Sequence, residues 1–206
     1  RRVAVVGKGR LDGNGQVWWD MLRAKRSRGQ KGPELPIEWE LAGRNPGFRS
    51  QPGGGGGREL QFLRPPLVQF YNCREVRLEG VSLSNSPFWT LHPVYCSGVV
   101  IKGVHIANPH DAPNTDGIDI DSSCNVEISG CDVSVGDDGI ALKSGSGSEG
   151  IRVNRPTSHV VIRGCTVRNG HGGIVIGSET AAGIHDVVAE NCSFYGTDRG
   201  IRIKTR

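Results

Sequence analysis

A glycine followed by an apolar–any–apolar triplet recurs four times in this chain, and the recurrence constrains its fold more than any other feature. The four segments read Thr115-Asp116-Gly117-Ile118-Asp119-Ile120, Asp137-Asp138-Gly139-Ile140-Ala141-Leu142, His171-Gly172-Gly173-Ile174-Val175-Ile176 and Asp198-Arg199-Gly200-Ile201-Arg202-Ile203. Their glycines stand 22, 34 and 27 residues apart. Self-similarity at such intervals marks a solenoid, in which equivalent residues of successive coils stack. Stacked strands lie about 4.8 Å apart. Asp116 and Asp138 are therefore expected to be neighbours, with Asp137 and His171 beside them. Three like charges gathered on one strand face oppose folding, which points to chemistry.

A second strand set repeats in step with the first: Val76-Arg77-Leu78-Glu79-Gly80-Val81, Val99-Val100-Ile101-Lys102-Gly103-Val104, Val126-Glu127-Ile128-Ser129-Gly130-Cys131, Val160-Val161-Ile162-Arg163-Gly164-Cys165 and Val187-Val188-Ala189-Glu190-Asn191-Cys192. Cys131, Cys165 and Cys192 fall where Val81 and Val104 stand in earlier coils. A cysteine that alternates with valine acts as a small buried hydrophobe, so unbridged thiols are expected. No pair of the 6 Cys has zinc-ligand spacing. From Leu67 onward, short β-branched strands are separated by Asn, Gly and Ser turns, and only Trp18 to Arg26 reads as much of a helix. The expected fold is all-β, a right-handed single-stranded parallel β-helix forming one domain over residues 1–206. Residues 1–66 are expected as irregular N-terminal coils and loops, and 67–206 as regular coils carrying the site. Pro33, Pro36, Pro46, Pro52 and the glycine run 53–57 mark 21–64 as irregular, with the run as an exposed loop. The chain opens on Arg1-Arg2 without methionine and stops after a strand. Both ends are expected to be cuts, with C-terminal coils missing and Ile201 and Ile203 left uncapped.

Composition removes several classes. With 206 residues and 36% apolar content the chain can bury a sizeable core, and its 31 glycines follow no collagen period. No apolar run reaches a membrane span of about 20 residues, and Val3 to Val6 is too short for a signal-peptide core. Residues 1–64 hold 13 Lys/Arg against 6 Asp/Glu, whereas 65–206 hold 12 against 15. The basic cluster Arg23, Lys25, Arg26, Arg28 and Lys31 lacks the aromatic interleaving of a nucleic-acid platform and reads as a solvated loop beside Trp18-Trp19. Gly7 to Asp20 reads as a strand end and turn, and fits neither a dinucleotide fingerprint nor a phosphate loop.

Alternation along the repeats sorts the roles. The isoleucines of Gly117-Ile118-Asp119-Ile120-Asp121 point inward and leave Asp119 and Asp121 outside. The matching outward positions are Ala141 and Lys143, then Val175 and Gly177, then Arg202 and Lys204, and His92 fits the same position one coil earlier. One sheet face thus carries Asp116, Asp137 and Asp138, flanked by His171 and two cations. Paired carboxyls, one protonated and one ionised, are the equipment of glycoside hydrolysis, and crowding like charges raises at least one pKa. An arginine fork and a lysine point charge suit a substrate carboxylate, hence an acidic sugar.

Taken together, Asn114-Thr115-Asp116-Gly117, Gly136-Asp137-Asp138, Gly170-His171-Gly172 and Arg202-Ile203-Lys204 resemble, in order, the four signature motifs of the polygalacturonases, glycoside hydrolase family 28. The resemblance extends to Leu11-Asp12-Gly13-Asn14-Gly15 and to Asn85-Ser86-Pro87-Phe88-Trp89-Thr90-Leu91-His92-Pro93, and it leans toward bacterial and plant-like members. It implies a pectin-lyase-like solenoid that hydrolyses α-1,4-galacturonosyl bonds of pectin with inversion and without a cofactor or metal. Asp137 would then be the general acid, Asp116 and Asp138 would activate water, and His171 would tune the acid. Asn114, Arg202 and Lys204 would bind the galacturonate. The implied partner is an acidic polysaccharide or oligogalacturonide, with no nucleic acid, no membrane and a monomeric state. An extracellular or periplasmic location is implied, a cytoplasmic one being left open by the N-terminus. Family members continue for further coils that this chain lacks.

Three other readings stay open at this point. Rhamnogalacturonan or xylogalacturonan hydrolysis belongs to the same family. A Ca²⁺-dependent pectate lyase would use Asp116, Asp119 and Asp121 as ligands, and its unsaturated product would vanish with EDTA. A non-catalytic polysaccharide-binding β-helix would release no reducing sugar.

Overall fold

The computed structural model describes residues 2–29, 36–44 and 64–205. Its strands form three six-stranded sheets in which consecutive coils are neighbours. Sheet one holds β1 (Val3–Val6), β4 (Arg74–Glu79), β7 (Ser97–Lys102), β10 (Cys124–Ser129), β13 (Thr157–Arg163) and β16 (Ile184–Glu190). Sheet two holds β2 (Arg10–Asp12), β5 (Ser82–Ser84), β8 (His105–Ala107), β11 (Asp132–Ser134), β14 (Thr166–Arg168) and β17 (Ser193–Tyr195). Sheet three holds β3 (Val68–Tyr71), β6 (Leu91–Val94), β9 (Ile118–Asp121), β12 (Asp138–Lys143), β15 (Gly172–Ile176) and β18 (Ile201–Ile203). Neighbouring strands pair in parallel, and each coil visits the sheets in turn. The chain is a right-handed parallel β-helix whose first coil already begins at Val3, inside a stretch the sequence marks as irregular.

Apolar columns fill the interior, because strand period and coil stacking bring like residues into register. Ile118, Ile140, Ile174 and Ile201 pair in sequence, and Leu78, Ile101, Ile128 and Ile162 form a second column in sheet one. The first three residues of the Ile118 column are buried, whereas Ile201 is 65% exposed, since among the described residues no strand stacks on β18. Each fully buried aliphatic side chain contributes roughly 1.5–3 kcal/mol. Cys131 and Cys165 are buried where Val81 and Val104 sit, and all six cysteines are free.

The corner into sheet three explains why the repeat requires glycine. A Cβ on Gly117 would lie 2.4 Å from the Gly139 carbonyl oxygen, and one on Gly139 would lie 2.4 Å from Val167 Cγ1. A Cβ on Gly173 would meet Phe194 Cδ1 at 2.1 Å. Successive coils nest at this corner only because nothing projects there.

Among the described residues three helices interrupt the coils, where the sequence shows one. α1 (Gln16–Ser27) covers and extends the expected helix, burying Trp19 and Leu22, and Trp19 Nε1 donates to the Ser86 carbonyl at 3.0 Å. α2 (Pro36–Arg44) lies inside the proline-rich stretch. Pro36 is its first residue, a position where the fixed φ and missing N–H of proline are compatible with a helix. α3 (Gly147–Val153) fills the connection between β12 and β13. Of the basic cluster, Arg23, Lys25 and Arg26 lie on α1 and Arg28 caps its end, so it is a helix face and not a loop: Lys25 is buried with Nζ 2.5 Å from Glu38 Oε1, and the exposed Arg23 pairs with Asp20 and Asp111. Lys31 and the glycine run 53–57 lie outside the described residues. No helix among the described residues is long and apolar enough to cross a membrane.

The glycine corner leads to a stability test by urea denaturation. Gly139→Ala is expected to cost about 1–3 kcal/mol through overpacking. Gly43→Ala, near the end of α2 with no atom within 4 Å of the new Cβ, is expected to stabilise by up to about 1 kcal/mol. Equal effects at the two sites would rule out close nesting as the reason for the repeat.

Candidate active site

The carboxylates come together through the ladder of sheet three. Asp116 stands just before β9, and Asp137 and Asp138 stand at the entry to β12. The Gly117 N–H donates to the Asp138 carbonyl at 2.9 Å, and the His171 N–H donates to the Asp137 carbonyl at 3.0 Å. Gly170 has φ +82°, and a Cβ there would lie 2.2 Å from the Asp137 carbonyl oxygen. Only glycine fits, which is why glycine precedes His171. On the far side Gly172 pairs with Asp138, and a Cβ there would lie 3.5 Å from Asp138 Oδ1 and 2.5 Å from Val175 Cγ2.

One oxygen from each of Asp116, Asp137 and Asp138 lies within 4.8 Å of the others, and among the described residues this is the one such convergence of three acidic, His or Cys groups. Asp116 and Asp138 are buried and Asp137 is half-buried. Burial, then the charge of Asp137, pushes Asp116 well above the usual carboxylate range. Burial and the neighbouring Asp138 also push Asp137 up, opposed by His171, Lys204 and Lys143. The expected crowding is present, and it favours keeping a proton in the cluster.

The cations expected on the substrate sit on Asp138 as well. Lys204 Nζ donates to Asp138 Oδ2 at 2.6 Å, and Arg202 Nη1 lies 3.6 Å from Asp138 Oδ1. Both remain partly exposed, at 25% and 31% of their side chains, so donors are left over for a ligand. The His171 ring is exposed and its Nδ1 lies 2.8 Å from Asp198 Oδ2. That hydrogen bond holds the Asp198 carboxyl below its ordinary range. Asp198 is a contact the sequence reading missed, although it opens the fourth repeat.

Asn114, expected on the substrate, is turned toward the carboxylates. Its Nδ2 lies 3.5 Å from Asp137 Oδ2, while its Oδ1 accepts from Arg64 Nη1 at 3.2 Å. Arg64 also donates to the carbonyls of Pro87, at 2.9 Å, and Pro113, at 2.5 Å, which belong to successive coils. Burial pushes this guanidinium down to about 10. Sequence gave no sign of Arg64, which sits beyond the repeat next to two prolines.

Asp119 and Asp121 correct an expectation. They take the outward register, opposite Ala141 and Lys143, yet both are buried. Trp89, His92, Lys143 and Glu179 close over them. Lys143 Nζ lies 3.7 Å from Asp119 Oδ1, 3.0 Å from Glu179 Oε2 and 4.5 Å from the centroid of Trp89. His92 Nε2 lies 3.5 Å from Asp121 Oδ2, so His92 does occupy the matching position one coil earlier. Asp116, Asp119 and Asp121 share no convergent point among the described residues, which removes the support for the calcium-site reading. A cavity of about 760 Å³ on sheet one, lined by Arg2, Glu75, Arg77, Asn125, Glu127 and His159, includes none of these groups.

Comparison with known proteins identifies the family and the fold. Residues 53–206 match the family model described as glycosyl hydrolases family 28. A probable polygalacturonase of Vitis vinifera is 33% identical over 205 residues, covering 98% of this chain and 35% of its own length. The crystal structure of a hyperthermoactive exopolygalacturonase from Thermotoga maritima superposes with a TM-score of 0.79 at 35% identity, covering 98% of this chain and 46% of that one. The polygalacturonase from Erwinia carotovora gives a TM-score of 0.69 at 25% identity, with 98% and 46% coverage. The chain therefore spans less than half the length of these relatives. Three parallel sheets, a carboxylate triad at the third and a family match across most of the sequence lead to one assignment: the chain belongs to glycosyl hydrolase family 28.

Proposed function

We propose that the triad hydrolyses α-1,4-galacturonosyl linkages of pectin or polygalacturonate with inversion, the substrate being an acidic polysaccharide or oligogalacturonide. The observation that carries this reading is the convergence of Asp116, Asp137 and Asp138 beside the two partly exposed cations Arg202 and Lys204. A neutral sugar would give the donors they do not spend on Asp138 no charged partner. A galacturonate carboxylate would accept an arginine fork and a lysine point charge.

In this scheme Asp137 is the general acid. It is the least buried of the three, and burial with Asp138 raises its pKa, so it keeps its proton to higher pH than an ordinary aspartate. It would protonate the leaving glycosidic oxygen. Asp116 and Asp138 would hold and deprotonate the attacking water. A water within about 2.8 Å of each of two oxygens fits a spread of up to 4.8 Å. That spread is between single oxygens and is not the separation of whole carboxyl groups, roughly 6.5–9.5 Å in inverting pairs and 5–5.5 Å in retaining ones, so the anomer of the product tests the inversion. His171, steered by Asp198, would adjust the field at Asp137, and Asn114 would orient its carboxyl. Pectin is a wall polysaccharide, which supports an extracellular or periplasmic place of action.

Asp137→Asn is expected to lower kcat on oligogalacturonides by about 10²–10⁴-fold with little change in substrate affinity. Turnover above a tenth of the parent would assign the acid elsewhere. Proton NMR of the first product released from an α-linked oligogalacturonide is expected to show the β-anomer, and an initial α-anomer would mean a covalent intermediate and retention. Arg202→Ala is expected to weaken binding of an oligogalacturonide by roughly 10–100-fold, from the loss of about 1.5–3 kcal/mol of charge-assisted hydrogen bonding. Binding of its methyl ester should change little, and equal losses on both ligands would make Arg202 a support of Asp138 alone.

A further inference from the structure

Behind the triad lies a second row of buried charge that the proposed chemistry leaves unused. Asp119, Asp121, Lys143 and Glu179 are each at most 3% exposed. Both carboxylate oxygens of Asp119, Oδ2 of Asp121, Oε1 of Glu179 and Nε2 of His92 have no hydrogen-bond partner. Burying one ion is costly and burying several with incomplete pairing is more so. A purely structural position would be better served by apolar side chains.

Lys143 is the hub. It ends β12, the strand that opens on Asp138, so one strand carries both a triad carboxylate and this ammonium. Asp119 and Asp121 face it from β9, His92 from β6, and Trp89 covers it at 4.5 Å from the ring centroid. Glu179 and the Gly177 carbonyl reach it from the segment after β15, at 3.0 and 3.3 Å. Tyr95 lies near Asp121 on the outer side. Arg202 and Lys204 face Asp138 from β18. Two cations near the triad are buried, Lys143 and Arg64; Arg64 donates to Asn114 and to the carbonyls of Pro87 and Pro113, whereas Lys143 faces carboxylates.

We propose that Lys143 is a positioning residue whose buried ammonium, clamped between Asp119 and Glu179, sets the electrostatic field at Asp116 and Asp137. The inference deepens the proposed hydrolysis and rests on that reading for its kinetic readout. Burial alone would discharge Lys143, but Glu179, Asp119, Asp116 and Asp138 hold it well above its ordinary range. Its charge in turn opposes proton uptake at Asp116 and at Asp137. A solvent-exposed cation at the same distance would be screened by salt, whereas a buried one is not. Lys143 therefore gives the triad a fixed counter-charge, opposed at Asp116 by Asp119 of the same row.

The sign of the effect follows. The acidic limb of the activity profile reports ionisation of the base, and the basic limb reports loss of the proton from the acid. Removing a cation raises both pKa values, so both limbs move up. Lys143→Met is expected to shift the profile of kcat/KM on oligogalacturonides upward by roughly one pH unit. Glu179→Gln, which leaves the ammonium in place with one carboxylate fewer, is expected to shift it downward. Lys143→Arg is expected to restore the parent position even where kcat falls.

Lys143→Met strands two buried carboxylates and is the variant most exposed to misfolding, so Glu179→Gln decides the question if Lys143→Met does not fold. Limbs that stay within 0.2 unit (about a tenth of a decade pair) in Glu179→Gln and in any folded Lys143 variant, while melting temperature drops, would overturn the proposal and leave a structural ion cluster. If the parent chain hydrolyses no oligogalacturonide, the proposed function fails separately. Carboxyl ¹³C NMR titration of Asp116 and Asp137 in the same variants then reads the field directly, with the same expected directions and the same overturning result.

Discussion

The site depends on one constraint, the in-register hydrogen bonding of parallel strands between successive coils of sheet three. Gly117 N–H to Asp138 carbonyl and His171 N–H to Asp137 carbonyl are ordinary ladder bonds. They place side chains from positions 116, 138 and 171 against one another without any bond made for that purpose. The glycine corner sets how closely the coils nest, and the nesting sets how closely the carboxylates approach. A slip of one residue would turn Asp119 toward the apolar interior and Ile118 outward. The apolar column thus protects the spacing of the carboxylates through the cost of burying charge.

Much of this was legible in the sequence, and the reason is periodicity. Gly-apolar-any-apolar marks the inward face, its spacing marks the coils, and the residues left over must face outward. That logic places Ala141, Val175 and Arg202 in one column and finds His92 beside Asp121. It fails where a residue's environment is made by chain far away in sequence. Asp119 and Asp121 follow the outward register yet are buried, because Trp89 and Glu179, 30 residues before Asp119 and 58 after Asp121, close over them. Arg64 follows no repeat, and its role comes from carbonyls at Pro87 and Pro113. α2 hid behind Pro36, since a proline read as a breaker is equally a permissible first helical residue.

Electrostatics divides the site into two layers. The outer layer, with His171, Arg202 and Lys204, is partly exposed and free to exchange partners with a ligand. In the inner layer Glu179 is held below its ordinary range although burial opposes ionisation, since the Lys143 charge outweighs it. Asp121 is held low in the same way by its contact with His92. Charges there are committed to one another. The carboxylates between the layers feel a constant field from behind and a changing one from the front.

The coils differ in length by up to a dozen residues, 22 against 34, yet their strands keep register. Most of the difference is taken up outside the strands, and α3 occupies the connection between β12 and β13. That connection can be lengthened, shortened or replaced without altering the ladder that sets Asp116 beside Asp138. A solenoid of this kind can rebuild what stands between its strands while the register beneath stays untouched.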